Sequence, residues 1–156
     1  MVERWHGTEE GINAVIGHGD RRLFDEAANW LAWCYNHLTR RSLKPSLYEM
    51  RYGHPPPEHI MNMKRVFGTL CFPFDKDDAH KKKMDGHTGD SKWKVGVMLG
   101  IDNFSTSWRV GTFVQDGRVR YGRWGAGWRW TVLRNSTVRV CETVVVENCE
   151  DLMLTN

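Results

Sequence analysis

Apolar residues recur at three- and four-residue steps through the first fifty residues of the chain, then at every second position through much of the remainder. From Glu3 to Ile16 there is little β-branched content, and Trp5, Ile12, Val15 and Ile16 fall on one side at helical spacing. Gly17 and Gly19, flanking His18, break that pattern and predict a short connection. Arg21 to Leu38 carries a broader stripe of Leu23, Phe24, Ala27, Trp30, Leu31, Cys34, Tyr35 and Leu38. This predicts a second helix, with Asp20 placed to cap its start and Lys44-Pro45 beyond its end. Ser46 to Tyr52 predicts a short third helix: Ser46 is its N-cap, Glu49 the capping-box partner three residues on, and Gly53 the closing residue.

His54-Pro55-Pro56-Pro57 marks a boundary, because consecutive prolines favour an extended, stiff segment and cannot continue a helix. Beyond it the period becomes strand-like. Val66 to Phe74 is an apolar run interrupted by Gly68, and the charged stretch Asp75 to Lys83 comes next. Lys92 to Ile101 alternates Trp93, Val95, Val97 and Leu99 against Lys94, Gly96 and Met98, the pattern of a half-buried strand. Ser107 to Val114 and Arg118 to Tyr121 flank Gln115-Asp116-Gly117, a hairpin signal. Trp128 to Leu133 and Thr137 to Val146 read as further strands joined through Asn135. The expectation is an α+β chain: helices over residues 1–57, a small antiparallel β-barrel or sheet over 58–150, and a tail over 151–156.

Charge sharpens this division. Residues 1–60 hold seven Lys/Arg and eight Asp/Glu, a net −1. Residues 61–140 hold fifteen Lys/Arg against seven Asp/Glu, a net +8, and residues 141–156 hold four Asp/Glu and no cation, a net −4. A basic stretch between near-neutral and acidic ends points either to a polyanion-facing surface or to an ordinary solvated face. There is no apolar run of membrane-spanning length and no apolar leader after the N-terminal acids, so the chain is read as intracellular, with no membrane partner. Cys34, Cys71, Cys141 and Cys149 form no C-x-x-C pair, and are read as reduced and mostly buried thiols, with no zinc site.

Several stretches, in order, resemble the integrase segment of copia-type long-terminal-repeat retrotransposon polyproteins. Met1-Val2-Glu3-Arg4 is similar to the G-V-x-E-R motif that opens the last helix of that family's catalytic core, and Thr8 stands where the family places Thr. An aromatic-x-E-A motif appears as Phe24-Asp25-Glu26-Ala27, and a Y-N pair as Tyr35-Asn36. Ser46-Leu47-Tyr48-Glu49-Met50-Arg51-Tyr52-Gly53-His54-Pro55-Pro56 resembles the P-Y-E-x-x-x-G-x-x-P signature. Val66-Phe67-Gly68 is next, then Lys83-Met84-Asp85 with Gly96-Val97-Met98-Leu99-Gly100-Ile101-Asp102. Order and spacing from Glu3 to Asp102 carry the match. After Asp102 it thins to Trp108-Arg109-Val110 and Thr137-Val138-Arg139-Val140, and the Gly-Trp-Arg stretch from Arg123 to Trp130 lies outside it.

The resemblance implies helices from the end of an RNase-H-like integrase core, followed by a small barrel of the Src-homology type that contacts DNA backbones. Such integrases use two Asp and one Glu to hold two Mg²⁺ ions for in-line phosphoryl displacement. Residue for residue, Glu3 is the third acid; the other reading is a helix-start acid favoured by the dipole. The partner Asp residues are expected on strands preceding this helix. The chain is therefore expected to be a truncated piece, without the core sheet or the family's zinc module, needing no cofactor and unable to integrate DNA alone. Trp30, Leu31, Trp33 and Leu38, which normally face that sheet, are expected either partly exposed or repacked against the β part.

The expected DNA contacts are Lys81, Lys82, Lys83, Lys92, Lys94, Arg118, Arg120, Arg123, Arg129, Arg134 and Arg139, directed at phosphates and sensitive to salt. Lys81 to Lys83 also reads as a solvated loop. Trp124, Trp128 and Trp130 alternate with Gly and Arg as a base-stacking surface would, whereas strand alternation places Trp128 and Trp130 on one core face. Self-association or pairing with a missing integrase core is the other implied partnership, and a nuclear location is expected if the chain works on DNA. The alternatives are a protein-interaction barrel that cages methyl-lysine or a peptide, and an inert transposon relic.

Overall fold

The computed structural model describes the backbone of residues 2–38, 45–75, 93–118, 120 and 127–154, with side chains from residue 9 to 153. Helix α1 (Val2–Ile16) buries Ile12 and Ile16, and Trp5 lies outside the described side chains. Gly17 ends it in the left-handed region at φ 55°, donating its N–H to Asn13 O at 2.9 Å. A 3-10 turn (Arg21–Leu23) leads into α2 (Phe24–His37), so the single helix expected from Arg21 is split. The Asp20 side chain caps that turn through Arg22 N–H at 3.0 Å. The buried face of α2 is Ala27, Trp30 and Trp33, while Phe24 and Tyr35 are each 37% exposed. The face is thus rotated from the expected stripe, because the sheet lies under Trp30 and Trp33.

Helix α3 (Leu47–Tyr52) forms as read: Ser46 Oγ accepts from Glu49 N–H at 3.3 Å, and Gly53 closes it at φ 77°. After the prolines comes a four-residue helix, α4 (Glu58–Met61), where the sequence pattern shows only a change to strand periodicity. Pro57 supplies its start, consistent with the fixed φ of proline at a helix entrance.

Five strands come after it among the described residues: β1 (Thr69–Pro73), β2 (Gly96–Ile101), β3 (Trp108–Gln115), β4 (Trp128–Asn135) and β5 (Val138–Val145). They form one antiparallel sheet in the order β4-β3-β2-β1-β5. Two expectations change here. Arg118 and Arg120 lie outside any strand, and β3 pairs directly with β4, Gln115 opposite Trp128, so the Asp-Gly turn opens a longer connection. Asp116 N–H donates to Gly127 O at 2.9 Å where that connection returns. β2 is buried at every residue, not on alternate ones, because it runs through the sheet centre with an apolar cluster on each face.

The barrel expectation is met only as an open sheet, since β4 and β5 stand at opposite edges and do not pair. The sheet nonetheless curls. Four strand spacings of about 4.8 Å would hold flat edges roughly 19 Å apart, yet the three residues from Asn135 to Val138 reach only about 11 Å. At this corner Asn135 Nδ2 donates to Phe74 O at 2.8 Å and Phe74 N–H donates to Thr137 O at 3.0 Å.

One core joins the helices to the sheet. Ile12, Ile16, Ala27, Trp30 and Trp33 pack with Val97, Leu99, Ile101 and Phe113, so residues on both sides of position 57 share it. Of the two outcomes open for the helix face, repacking against the β part is the one observed for Trp30 (7% exposed) and Trp33 (5%). Cys149–Leu154 forms a 3-10 helix whose Leu152 enters the same core, in place of most of the expected tail. No helix among the described residues is long and apolar enough to cross a membrane.

Asp20 fastens this last turn to the helices. Its carboxylate accepts from Cys149 N–H at 2.9 Å and from Arg22 Nε and Nη2, while Arg22 reaches Glu150 at 2.6 Å and Asn148 at 2.9 Å. Burial opposes ionisation of Asp20, but the Arg22 side chain and the Cys149 and Arg22 amides outweigh it and hold the pKa at about 2. A carboxyl depressed from 3.8 to about 2 contributes on the order of 2 kcal/mol of stability above pH 4, lost as pH falls through 2. Asp20→Asn is expected to lose about that amount at pH 7 in urea unfolding, and its deficit against wild type should shrink between pH 4 and pH 2.

Candidate nucleic-acid interface

Each cation expected at the interface has a definite place or lies outside the described residues. Lys81, Lys82, Lys83, Lys92 and Arg123, with Trp124, lie outside them. Glu3 sits in the first turn of α1, and its side chain is outside the described set. Lys94 is paired with Asp75 at 2.8 Å. Arg134 Nε meets Asp102 at 3.2 Å, and Arg139 lies with its guanidinium 4.4 Å from the centre of the Trp93 ring. Arg118 grips Asp116 through Nε at 3.1 Å and Nη2 at 3.3 Å, Arg129 Nε approaches the same carboxylate at 3.5 Å, and Arg120 is exposed nearby in sequence.

The structure therefore separates these residues into three places. Lys94 and Arg134 line a cleft of about 430 Å³ at the curled corner, together with Asp75, Ser107, Asn135 and Ser136. Arg139 is on the β5 edge beside Phe72 and Trp93. Arg118 and Arg129 meet at the opposite end of β4, five residues and about 17 Å along the strand from Arg134. The Arg118 side chain is 90% exposed and that of Arg129 55%. Arg118 and Arg129 are two cations against one carboxylate, a local net of +1, and Arg120 is exposed close by in the sequence. Hydrogen bonds from the Arg118 side chain and amide hold the Asp116 carboxyl below its usual range, so it stays ionised.

Trp128 and Trp130 stand on the core face of β4, the second of their two readings. Trp130 meets Phe113 edge to face at 5.0 Å and 64°. Its ring covers Gly111 so closely that a Cβ there would fall 2.2 Å from Cη2. They do not form an open stacking surface.

An aromatic surface does exist elsewhere. Trp30 and Trp33 stack at 5.0 Å, Trp33 and His37 at 4.2 Å, and the series continues through Tyr48 (5.3 Å) to Tyr52 (4.6 Å). It starts in the core and ends at the surface, where Tyr52 is 53% exposed. His37 Nδ1–H donates to Trp33 O at 2.9 Å, which leaves Nε2 as the free ring nitrogen. Across from the rings runs the loop from Asp102 to Ser107, carrying Phe104 at 90% exposure. Together they enclose an open groove of about 500 Å³ with Arg51 in its lining. It is continuous past Trp33 and Phe104 with a smaller hollow lined by Arg109 and Arg134. The three- and four-residue spacing of Trp30, Trp33 and His37, and of Tyr48 and Tyr52, is the sequence signal for this series. That signal is indistinguishable from an ordinary helix stripe and from the Y-E-x-x-x-G match.

The loop is held in shape by Asp102. Its carboxylate accepts from Phe104 N–H (3.2 Å), Ser105 Oγ (2.7 Å) and Arg134. Burial works against its ionisation, but these donors and the Arg134 charge hold its pKa below the usual value. Among the described residues no three His, Cys, Asp or Glu side chains come together as a metal-binding group. No protein family, curated protein or solved structure matches the chain.

The thiols have distinct surroundings. Burial pushes Cys71 up to about 12 and raises Cys149 and Cys34 as well, whereas Cys141 is partly exposed beside Thr143. Native protein treated with iodoacetamide near pH 8 is expected to be alkylated first at Cys141, with Cys71 and Cys149 protected until urea unfolds the chain; peptide mass mapping reads the order.

Proposed function

We propose that this chain is a nucleic-acid-binding remnant of a copia-type retrotransposon integrase, acting in the nucleus and binding DNA phosphates without reading sequence. In this reading the helices descend from the end of an RNase-H-like core, and the curled sheet corresponds to the small Src-homology-type barrel that comes after it. The ordered motifs from Glu3 to Asp102 support the descent. The observation that carries the binding is the exposed pair Arg118 and Arg129 on the single carboxylate of Asp116, with Arg120 exposed close by in the sequence. Arginine presents five donors, so a guanidinium holding Asp116 keeps N–H groups for a phosphate. Lys81, Lys82, Lys83, Lys92 and Arg123, outside the described residues, belong to the same basic half of the sequence.

Binding of a mixed-sequence duplex should weaken steeply between 50 and 200 mM salt, as counterion release requires. Replacing Arg118, Arg120 and Arg129 by alanine should flatten the log–log salt slope by about one for each phosphate no longer neutralised. Fluorescence anisotropy measures both. Absence of duplex binding at low salt, or an unchanged slope in the triple variant, overturns the proposal.

Chemistry is a separate matter. Glu3 is the one residue that the resemblance assigns to the catalytic triad, and a single carboxylate does not hold two Mg²⁺ ions, each of which needs several oxygen ligands. Strand transfer by this chain alone should be undetectable with Mg²⁺ or Mn²⁺, and any activity abolished by Glu3→Gln would contradict that.

A further inference from the structure

The groove between α2, α3 and the Asp102–Ser107 loop presents two aromatic surfaces that the core does not use. Phe104 is 90% exposed and Tyr52 53% exposed, both in the lining of a trough of about 500 Å³, within the range of ligand clefts. Side chains so placed gain nothing from burial in the fold. The floor is fixed: Trp33 and His37 stack 10° from parallel, and His37 is pinned to the Trp33 carbonyl.

The charges in and beside the groove select among occupants. Its carboxylate, Asp102, is 3% exposed and already accepts from Arg134, Ser105 and Phe104. Its accessible charge is that of Arg51, which lies over the Tyr52 ring at 5.4 Å. Where the groove continues past Phe104, the guanidinium of Arg134 is 61% exposed. The exposed Phe104 ring and the half-exposed Tyr52 ring, flanked by two cations and, among the described lining residues, by no unpaired carboxylate, complement a ligand that is both flat and negatively charged. A cationic peptide or a methyl-lysine would find no unpaired carboxylate among the described lining residues. In a duplex the base faces are covered by stacking, so the ligand must be unpaired.

We infer that this groove receives an unpaired base of single-stranded nucleic acid, stacked between Phe104 and Tyr52, with Arg51 and Arg134 meeting the flanking phosphates. This rests on the nucleic-acid reading above but uses different residues, so the two fail separately.

The test uses the full chain and a fluorescein-labelled oligothymidylate of about a dozen nucleotides, within the site sizes of single-strand binders. Phe104→Ala and Tyr52→Ala should each weaken single-strand binding roughly tenfold, while Tyr52→Phe retains it. Duplex binding should be unchanged in all three. Both rings are exposed, so an unaltered thermal midpoint is expected to accompany the loss. If single-strand affinity survives both alanine variants yet falls in the Arg118/Arg120/Arg129 triple variant, the groove inference fails and the basic cluster stands. If the alanine variants lose single-strand binding while the triple variant changes nothing, the groove stands and the cluster fails. Binding of thymidine monophosphate as tight as that of the oligomer would assign the groove to a free nucleotide. Displacement by a proline-rich peptide, with no oligothymidylate bound, would assign it to a protein partner. Either result overturns the inference.

Discussion

The ring of Trp30 rests where a side chain at position 100 would stand. Gly100 has φ 126° at the β2 irregularity, and a Cβ built there would lie 2.7 Å from Trp30 Cε3. With that position bare, α2 lies directly on the central strand, and Trp30 and Trp33 are removed from water over Leu99 and Ile101. Burying a tryptophan is worth on the order of 4–6 kcal/mol in transfer free energy, as an upper bound. The part-buried ion pair between Arg109 and Glu26 crosses the same interface with two contacts of 3.0 Å and contributes on the order of 1 kcal/mol. The aromatic contact decides where α2 sits; the ion pair fixes its rotation. Everything at the aromatic groove depends on this, because Trp33 can stack on His37 only when α2 presents that face to the sheet edge.

Most of the elements are legible in the chain itself, because their signals are local. Ser46 and Gly53 specify a helix start and stop within eight residues, and both act as read, although the Glu49 side chain does not return to the Ser46 amide as a capping box would. The strands of the second half announce themselves by alternation. The features that escape such reading are long-range. The order β4-β3-β2-β1-β5 puts β2 in the middle, and a strand covered on both faces cannot be told from a half-covered one by its own alternation. The rotation of α2 is hidden for the same reason: Phe24, Tyr35, Trp30 and Trp33 are all apolar, and only the position of the sheet chooses among them. The groove is hidden because Phe104 and Tyr52 are distant in sequence, and the helical spacing of Tyr48 and Tyr52 does not mark them as lining a groove.

Charge shows a different division of labour. The net +8 of residues 61–140 is fixed by composition, yet its distribution is not. Lys94 and Arg134 each meet a carboxylate of their own, Asp75 and Asp102, and so contribute little field at long range. A surplus survives where one acid serves several cations, as Asp116 does for Arg118 and Arg129. Counting charges along a sequence therefore identifies the basic half, while the fold decides where in it a charge surplus remains exposed.

The motifs that carry the family resemblance coincide with positions that build the fold. Glu26 anchors Arg109, Ala27 is fully buried against the sheet, Gly53 caps α3, Gly68 turns into β1 at φ 77°, and Gly100 admits Trp30. Among the binding candidates, Arg118, Arg120, Arg129 and Phe104 stand apart from those motifs; Tyr52 and Arg51 lie within the Y-E-x-x-x-G segment but at its unspecified positions. A surface so disposed can change its residues without disturbing Trp30, Gly100 or Asp20. The converse does not hold, since a side chain at position 100 would displace α2 and carry Trp33, His37 and the whole ring series with it. Stability here constrains the groove through the placement of one helix, whereas the exposed rings of the groove contribute little to stability.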